Sequence, residues 1–134
     1  MKTITLNLQD PDTWPFVKGT SRSEVSEFLE EVPEIFIKNK EFSEISTDNF
    51  VNNGVHAYYD AEDTLEGVEL FPSKNIRVEV NEQNILGLLS SEVSDICKNI
   101  FELRPYDDGF ESVDGRIRFY APDNLLASVY LVLI

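Results

Sequence analysis

The chain has 134 residues, a length typical of one domain, so we expect a single domain over residues 1–134. Acidic residues number 25 against 11 basic residues, which gives a net charge of −14 at pH 7. This balance argues against nucleic acid and anionic membranes as partners, because both are bound through clustered Lys and Arg. It favours a cationic partner, unless the charge serves only solubility.

The single cysteine, Cys97, excludes an internal disulfide and fits a reducing compartment. Residues 1–12 lack the apolar core of a signal peptide, and no apolar run approaches the ~20 residues of a membrane span. We therefore expect a cytoplasmic protein that does not enter membranes.

A strand and a helix are predicted first. Residues 4–8 alternate apolar and polar side chains, which is typical of a half-buried strand. Four apolar residues then recur at helical spacing: Val25, Phe28, Leu29 and Val32. Ser21 and Glu24 have the spacing of a capping box at the start of this helix, and Pro33 is expected to end it or bend it.

A hairpin follows the helix. Residues 55–59 and 65–71 predict its two strands, with a turn at 60–64. Residues 34–38 and the segment before Gly54 are candidates for additional strands.

The second half of the chain repeats this order after a short turn segment at 72–75. The helical windows SEVSEFLEEVPEI, from Ser23, and SEVSDICKNIFEL, from Ser91, match at a shift of 68 residues (91 − 23). The hairpin windows GVHAYYDAEDTLEGVELF, from Gly54, and GRIRFYAPDNLLASVYLV, from Gly115, match at a shift of 61 residues (115 − 54). Two matches in the same order indicate an internal duplication.

The second half therefore has its own predicted strand, helix and hairpin. The strand is 76–80, and the hairpin strands are 116–120 and 126–132 around a turn at 121–124. The helix again carries an apolar stripe: Val93, Ile96, Cys97 and Ile100. The last six residues, 129–134, are almost wholly apolar, so they must form a central strand or be covered at an interface.

The predicted fold class is α+β. It consists of two tandem strand–helix–hairpin repeats, at about 3–71 and 75–134, with the helices packed on one face of a mainly antiparallel sheet. Either a pseudo-twofold axis or a translation along a shared sheet would relate the two halves.

Comparison of the two halves gives little support for catalysis. His56, the only histidine, falls opposite Ile117, which favours a structural role for it. Cys97 falls opposite Leu29 and is expected in the core. One histidine and one cysteine do not make a usual zinc site, so no catalytic residue, metal or cofactor is predicted.

Partner binding is the remaining chemistry. The candidate residues are carboxylates on the first helix, in the first hairpin turn and before the second hairpin, with two aromatic anchors among them: Glu27, Glu31, Asp60, Glu62, Asp63, Tyr106, Asp107, Asp108, Phe110 and Glu111. Trp14 and Phe16 are also aromatic residues in a loop-like segment, where the alternative is that they plug the ends of the sheet. Solvated surface is the alternative for each acidic cluster, and weak calcium binding is a further one.

The repeated unit resembles that of a known family. Gly19 with Ser23-Glu24-Val25 and Tyr58-Tyr59, and Gly87 with Ser91-Glu92-Val93 and Phe119-Tyr120, resemble the repeat of the beta-lactamase inhibitor protein and the related BamE/SmpA modules. The chain departs from those outer-membrane proteins in lacking their lipobox, secretion signal and disulfides.

In general character the chain is similar to immunity proteins of bacterial toxin systems, which include those of contact-dependent inhibition. That resemblance implies an inhibitor that occludes a cognate, basic toxin domain with its acidic surface. Two alternatives stay open: a homodimeric structural or assembly module without activity, and a small-ligand binder or enzyme with a pocket between helix and sheet near His56 and Tyr58.

Overall fold

A computed structural model describes residues 3–37 and 45–134. The strands and α-helices of the described residues are, in chain order, β1 Ile4–Asn7, α1 Arg22–Leu29, β2 Glu34–Phe36, β3 Thr47–Phe50, β4 Val55–Tyr59, β5 Leu65–Leu70, β6 Ile76–Val80, β7 Gln83–Asn84, α2 Ser90–Cys97, β8 Leu103–Tyr106, β9 Gly109–Ser112, β10 Ile117–Tyr120 and β11 Ser128–Val132. The α+β class is confirmed in its broad sense, as a mostly sheet fold with two helices. Neither of these helices is long and apolar enough to cross a bilayer.

The main sheet has eight strands in the order β2-β3-β4-β5-β11-β10-β9-β8. All its neighbouring strands are antiparallel. Both hairpins are confirmed, and strands occur before Gly54 and Gly115 as expected. The apolar end of the chain forms β11, a central strand between β5 and β10, which explains why these residues are almost wholly apolar. Position 38 of the predicted strand 34–38 lies outside the described residues.

The first strand of each half does not join this sheet. Strand β1 pairs in parallel with β6, with Ile4 opposite Ile76, and β7 completes a separate three-stranded sheet. The prediction of two strand–helix–hairpin repeats with helices on one face of a single sheet is therefore wrong in its detail. Alternation of apolar residues specifies that a strand is half-buried, but it does not specify which strand is its partner.

Helix α1 begins as predicted, and both helices end early. Ser21 and Glu24 form the expected capping box at the start of α1. Glu30 adopts a left-handed conformation, with φ of 55°, and ends the helix before Pro33. Val32 consequently leaves the apolar stripe and is 89% exposed. In α2, Val93 and Cys97 are buried, which confirms the core position of Cys97.

The hydrophobic core consists of alternate residues of the main sheet and of buried residues from the helices and the small sheet. Val55, Val68 and Leu131 are fully buried members from the sheet. Trp14 and Phe16 are also buried in this core, so they are not exposed anchors. Alternation along each strand then leaves the remaining residues on the opposite face.

One buried carboxylate ties α1 to the sheet. Asp48 on β3 accepts from Arg22 Nη1 at 2.9 Å and from the Tyr59 hydroxyl at 2.9 Å. The same guanidinium donates to Asp63 in the first hairpin turn at 2.6 Å and to the Ser46 carbonyl at 2.9 Å. It also lies 4.1 Å from the centre of the Tyr59 ring. The Arg22 guanidinium thus joins the start of the helix, the strands and the hairpin turn.

Loss of this guanidinium should be costly. Arg22→Ala is expected to lower the free energy of unfolding by about 3 kcal/mol, because Asp48 would remain buried without its counter-charge. Denaturant unfolding measures the change. Lys98→Ala is the matched control, since its pair with Asp95 is exposed and should contribute less than about 0.5 kcal/mol. Equal effects of the two substitutions would contradict a special role for Arg22.

The two-residue turn between β6 and β7 holds both of its residues in the left-handed region. Asn81 has φ of 51° and Glu82 has φ of 65°, as a type I′ turn requires. Asparagine tolerates this conformation, whereas glutamate is disfavoured there.

Glycine at position 82 should therefore stabilise the protein. Glu82→Gly is expected to raise the free energy of unfolding by about 1 kcal/mol, because the left-handed conformation costs a residue with a Cβ atom roughly that amount. The control is Glu27→Gly on an exposed face of α1, which should cost about 1 kcal/mol in the opposite direction. Denaturant unfolding measures the free energy of unfolding of both variants. A loss of stability in Glu82→Gly would contradict the idea that Glu82 is strained.

Candidate functional site

A row of directly opposed residues crosses all eight strands on the face turned away from the core. Strand pairing places them in the order Glu34, Asn49, His56, Glu69, Tyr130, Arg118, Glu111 and Arg104. Their sequence neighbours Val55, Ala57 and Leu131 are buried in the core, so alternation puts the row on the other side. We call this side of the sheet the open face.

The sequence-based placement of His56 opposite Ile117 is wrong by one residue. Val55 pairs with Leu70 and Ile117 pairs with Leu131, which are separations of 15 (70 − 55) and 14 (131 − 117) residues. The stretch between these paired residues is therefore one residue longer in the first hairpin, where the strand register shifts between Tyr58 and Tyr59. A one-residue slip exchanges the two faces of a strand. The structural counterpart of His56 is Arg118, and the sequence comparison that favoured a structural role for His56 no longer applies.

The open face contains a depression of about 930 Å³. Its lining is mostly aromatic, with three carboxylates and one guanidinium: His56, Tyr58, Glu69, Phe71, Tyr106, Asp107, Asp108, Arg118, Phe119, Tyr120 and Tyr130. The rings come from both halves of the sheet. The depression therefore exists only because β5 and β11 are neighbours.

Glu69 holds the centre of the depression in place. One carboxylate oxygen accepts from the Tyr58 hydroxyl at 2.7 Å, and the other accepts from the Ser128 hydroxyl at 2.7 Å. The Tyr58 and Tyr130 rings then meet with centroids 5.3 Å apart. A Cβ atom at Gly67 would lie 2.5 Å from the Tyr130 hydroxyl, so glycine is what allows this ring to lie across β5.

Burial raises the pKa of three tyrosines. It is the main cause for Tyr58, followed by the negative charge of Glu69, and also for Tyr130, followed by the charge of Glu66. On the core side, burial and the hydrogen bond to Asp48 raise the pKa of Tyr59. These phenols therefore remain neutral well above the pH at which an exposed tyrosine ionises.

Glu111 organises the other side of the depression. It is 4% exposed and accepts from Arg104 Nε at 2.7 Å and from Arg118 Nε at 3.3 Å. The Arg118 guanidinium lies 4.9 Å from the centre of the Tyr106 ring and 5.7 Å from that of Tyr130. The carboxylate thus orients Arg118 against two aromatic rings.

Three of the predicted partner-binding residues, Tyr106, Asp107 and Asp108, line the depression. Phe110 does not act as an exposed anchor, because it points to the other face and stacks on Phe119 with centroids 4.8 Å apart. Glu111 lies on the open face, but it is buried and committed to two arginines instead of being a free surface charge.

The other predicted carboxylates lie elsewhere, and most of them hold turns. Glu31 accepts from the backbone amides of Asn52 and Asn53 at 2.9 and 3.1 Å. Asp60 accepts from the amide and hydroxyl of Thr64, which lower its pKa. Asp63 is paired with Arg22, as described above. Glu27, together with Glu31, lines a shallow hollow at the end of α1, and Glu62 is exposed.

Sequence reasoning missed several residues of the depression as site residues, among them Tyr58, Glu69, Arg118 and Tyr130. The sequence did contain a signal for these residues. The positions of both hairpins that alternate with the core residues are aromatic or charged, whereas a sheet face that only contacts solvent would be expected to carry small polar residues. Within residues 3–37 and 45–134, no group of His, Cys, Asp and Glu is arranged to hold a metal ion. Burial raises the pKa of the Cys97 thiol to about 11.

Comparisons with protein-family models, with curated proteins and with solved structures found no match to this chain.

The raised pKa values predict the alkaline behaviour of the protein. A neutral phenol with a raised folded-state pKa contributes stability that is complete below the unfolded pKa of about 10 and is lost as the pH rises towards the folded-state pKa. The phenolate absorbance of the folded protein should therefore rise near pH 10 by less than that of the denatured chain, which contains five tyrosines.

Single substitutions identify which tyrosines do not contribute to the phenolate absorbance of the folded protein near pH 10. Tyr58→Phe and Tyr130→Phe should reduce the absorbance change near pH 10 less than the loss of an exposed tyrosine would, because burial raises the pKa of both phenols. If either substitution removed a full tyrosine equivalent from that step, the burial of that phenol would be disproved.

Proposed function

We propose that this protein is a binding protein that occludes a protein partner with the open face of its eight-stranded sheet. The form of this function that we favour is an immunity or inhibitor protein of a bacterial toxin system, acting in the cytoplasm on a basic toxin domain. The observation that supports it best is the aromatic depression, whose side chains are already held in place by Glu69 and Glu111.

The composition of the depression suits a protein interface. Tyrosine and arginine are the residues most enriched among energetic hot spots, and Tyr106, Tyr120 and Arg118 are partly exposed here. Rings fixed by hydrogen bonds and ion pairs before binding lose little conformational freedom on association. A rigid aromatic surface of this kind favours tight binding over a given area.

The charge of the chain supports a basic partner. The net charge of −14 would accelerate encounter with a cationic surface. Asp107 and Asp108 are exposed at the depression, where they are available to such a surface. By contrast, Glu69 and Glu111 are engaged within the protein, so they shape the site rather than neutralise the partner.

The edges of the main sheet disfavour the homodimer alternative. Strand β8 at one edge contains Pro105, which cannot donate a backbone hydrogen bond to an added strand. Strand β2 at the other edge has only three residues. Short strands and prolines are the usual protection against edge pairing. Light scattering should therefore give the mass of one chain, and a stable dimer would favour the alternative.

The small-ligand alternative is supported by the size of the depression, which falls in the range of known ligand sites. His56 and Tyr58 do line it, although on the open face and not between helix and sheet as expected. His56→Ile would then abolish ligand binding, whereas a large protein interface should tolerate this change.

Affinity capture with the immobilised full chain tests the proposed function. A basic protein should be captured from the source lysate, and Tyr106→Ala/Tyr120→Ala should weaken its binding at least about 10-fold, as expected for loss of two interface anchors. The control Val32→Ala/Val51→Ala removes exposed apolar side chains outside the lining of the depression and should leave capture unchanged. Added salt should weaken the complex.

Two results would count against the proposed function. One is a set of captured proteins no more basic than the lysate as a whole. The other is a captured basic protein that binds the tyrosine variant and the control variant equally well.

A further inference from the structure

We propose that the depression receives one basic side chain, Arg or Lys, presented by a protruding loop of the partner. This inference rests on the proposed function and adds to it the chemistry of the central contact.

The aromatic wall provides the first reason. Tyr58 and Tyr130 lie with centroids 5.3 Å apart and planes inclined at 56°, and His56 and Phe71 lie 4.5 Å apart. Ring faces carry partial negative charge and attract a cation within about 6 Å. The depression, at about 930 Å³, is larger than one side chain and has room for the loop residues that flank it.

The protein itself demonstrates that these rings accept a cation. Its own Arg118 lies 4.9 Å from the centre of the Tyr106 ring and 5.7 Å from that of Tyr130. Glu111 balances the charge of this guanidinium from 3.3 Å away. An aromatic ring beside a carboxylate therefore holds a guanidinium in this protein, and the other rings of the lining offer the same chemistry to a second one.

The charges of the lining provide the third reason. The exposed carboxylates of Asp107 and Asp108 line the depression together with a single guanidinium, that of Arg118, and Glu111 offsets part of the charge of this guanidinium. The lining therefore carries an excess of negative charge. An acidic loop would be repelled by it, whereas a basic side chain would compensate it.

Asp107 and Asp108 are placed to contact the approaching loop. They form the two-residue connection between Tyr106 on β8 and Gly109 on β9, and both are exposed. The carboxylates thus border the depression, with the rings between them and Glu69. This arrangement favours a cation over a neutral side chain of the same shape.

The test uses the isotope-labelled full chain and two small probes in an NMR titration. N-acetylarginine amide should produce saturable shifts of the depression residues, including the Gly67 and Gly109 amides. N-acetylcitrulline amide, its neutral isostere, should bind at least about 3-fold more weakly, as expected from the loss of cation–π attraction.

Variants locate the contact. Tyr106→Ala, at an exposed position of an edge strand, and Asp107→Asn/Asp108→Asn should each weaken arginine binding about 3- to 10-fold. The control Glu82→Gln/Glu92→Gln removes the same charge from exposed positions outside the depression and should have no effect.

The outcomes separate this inference from the function on which it rests. Equal binding of the two probes, or equal effects of the two double charge variants, would overturn the inference, and a partner captured through the open face would then still support the proposed function. Selective arginine binding, without any protein captured through that face, would support a basic site and overturn the proposed protein-binding function.

Discussion

The pairing of β5 with β11 is the constraint on which the rest of the structure depends. It places Leu70 opposite Val129 and Val68 opposite Leu131, so two hairpins far apart in the chain share one core. The same register places Glu69 beside Tyr130 on the open face. Because strand side chains alternate, a change in strand register would move the residues of both faces together. The register that packs the core therefore also fixes the aromatic site.

Two carboxylates, that of the half-buried Glu69 and that of the buried Glu111, hold neighbouring side chains in place on the open face. Glu69 fixes Tyr58 through its hydroxyl, and Glu111 fixes Arg118 against two rings. Both carboxylates use up hydrogen-bonding capacity that a partner would otherwise have to satisfy. The cost of ordering the site is thus met during folding, which leaves more of the contact energy for binding.

The fold was predicted from sequence to the extent that local patterns determine it. The alternation in the hairpins and the capping box at Ser21 identified real elements, and of the two alternatives for the apolar end of the chain, a central strand and cover at an interface, the structure has the central strand. The register was not predictable, because the register shift between Tyr58 and Tyr59 leaves the apolar pattern of β5 unchanged while it exchanges the faces of β4 relative to those of β10. This one-residue difference decides whether His56 corresponds to Ile117 or to Arg118. Because it could not be read from the sequence, most residues of the site were missed.

Unlike residues occupy corresponding positions on the two sides of the central pair. Outward from it, Glu69 corresponds to Tyr130, His56 to Arg118, Asn49 to Glu111 and Glu34 to Arg104. The strand order is pseudo-symmetric about the β5–β11 pair, and this symmetry alone would give a partner two equivalent docking orientations. The divergence of these side chains removes that degeneracy and gives the surface a direction, from a carboxylate at one edge to a guanidinium at the other, so a partner can be recognised in one orientation only.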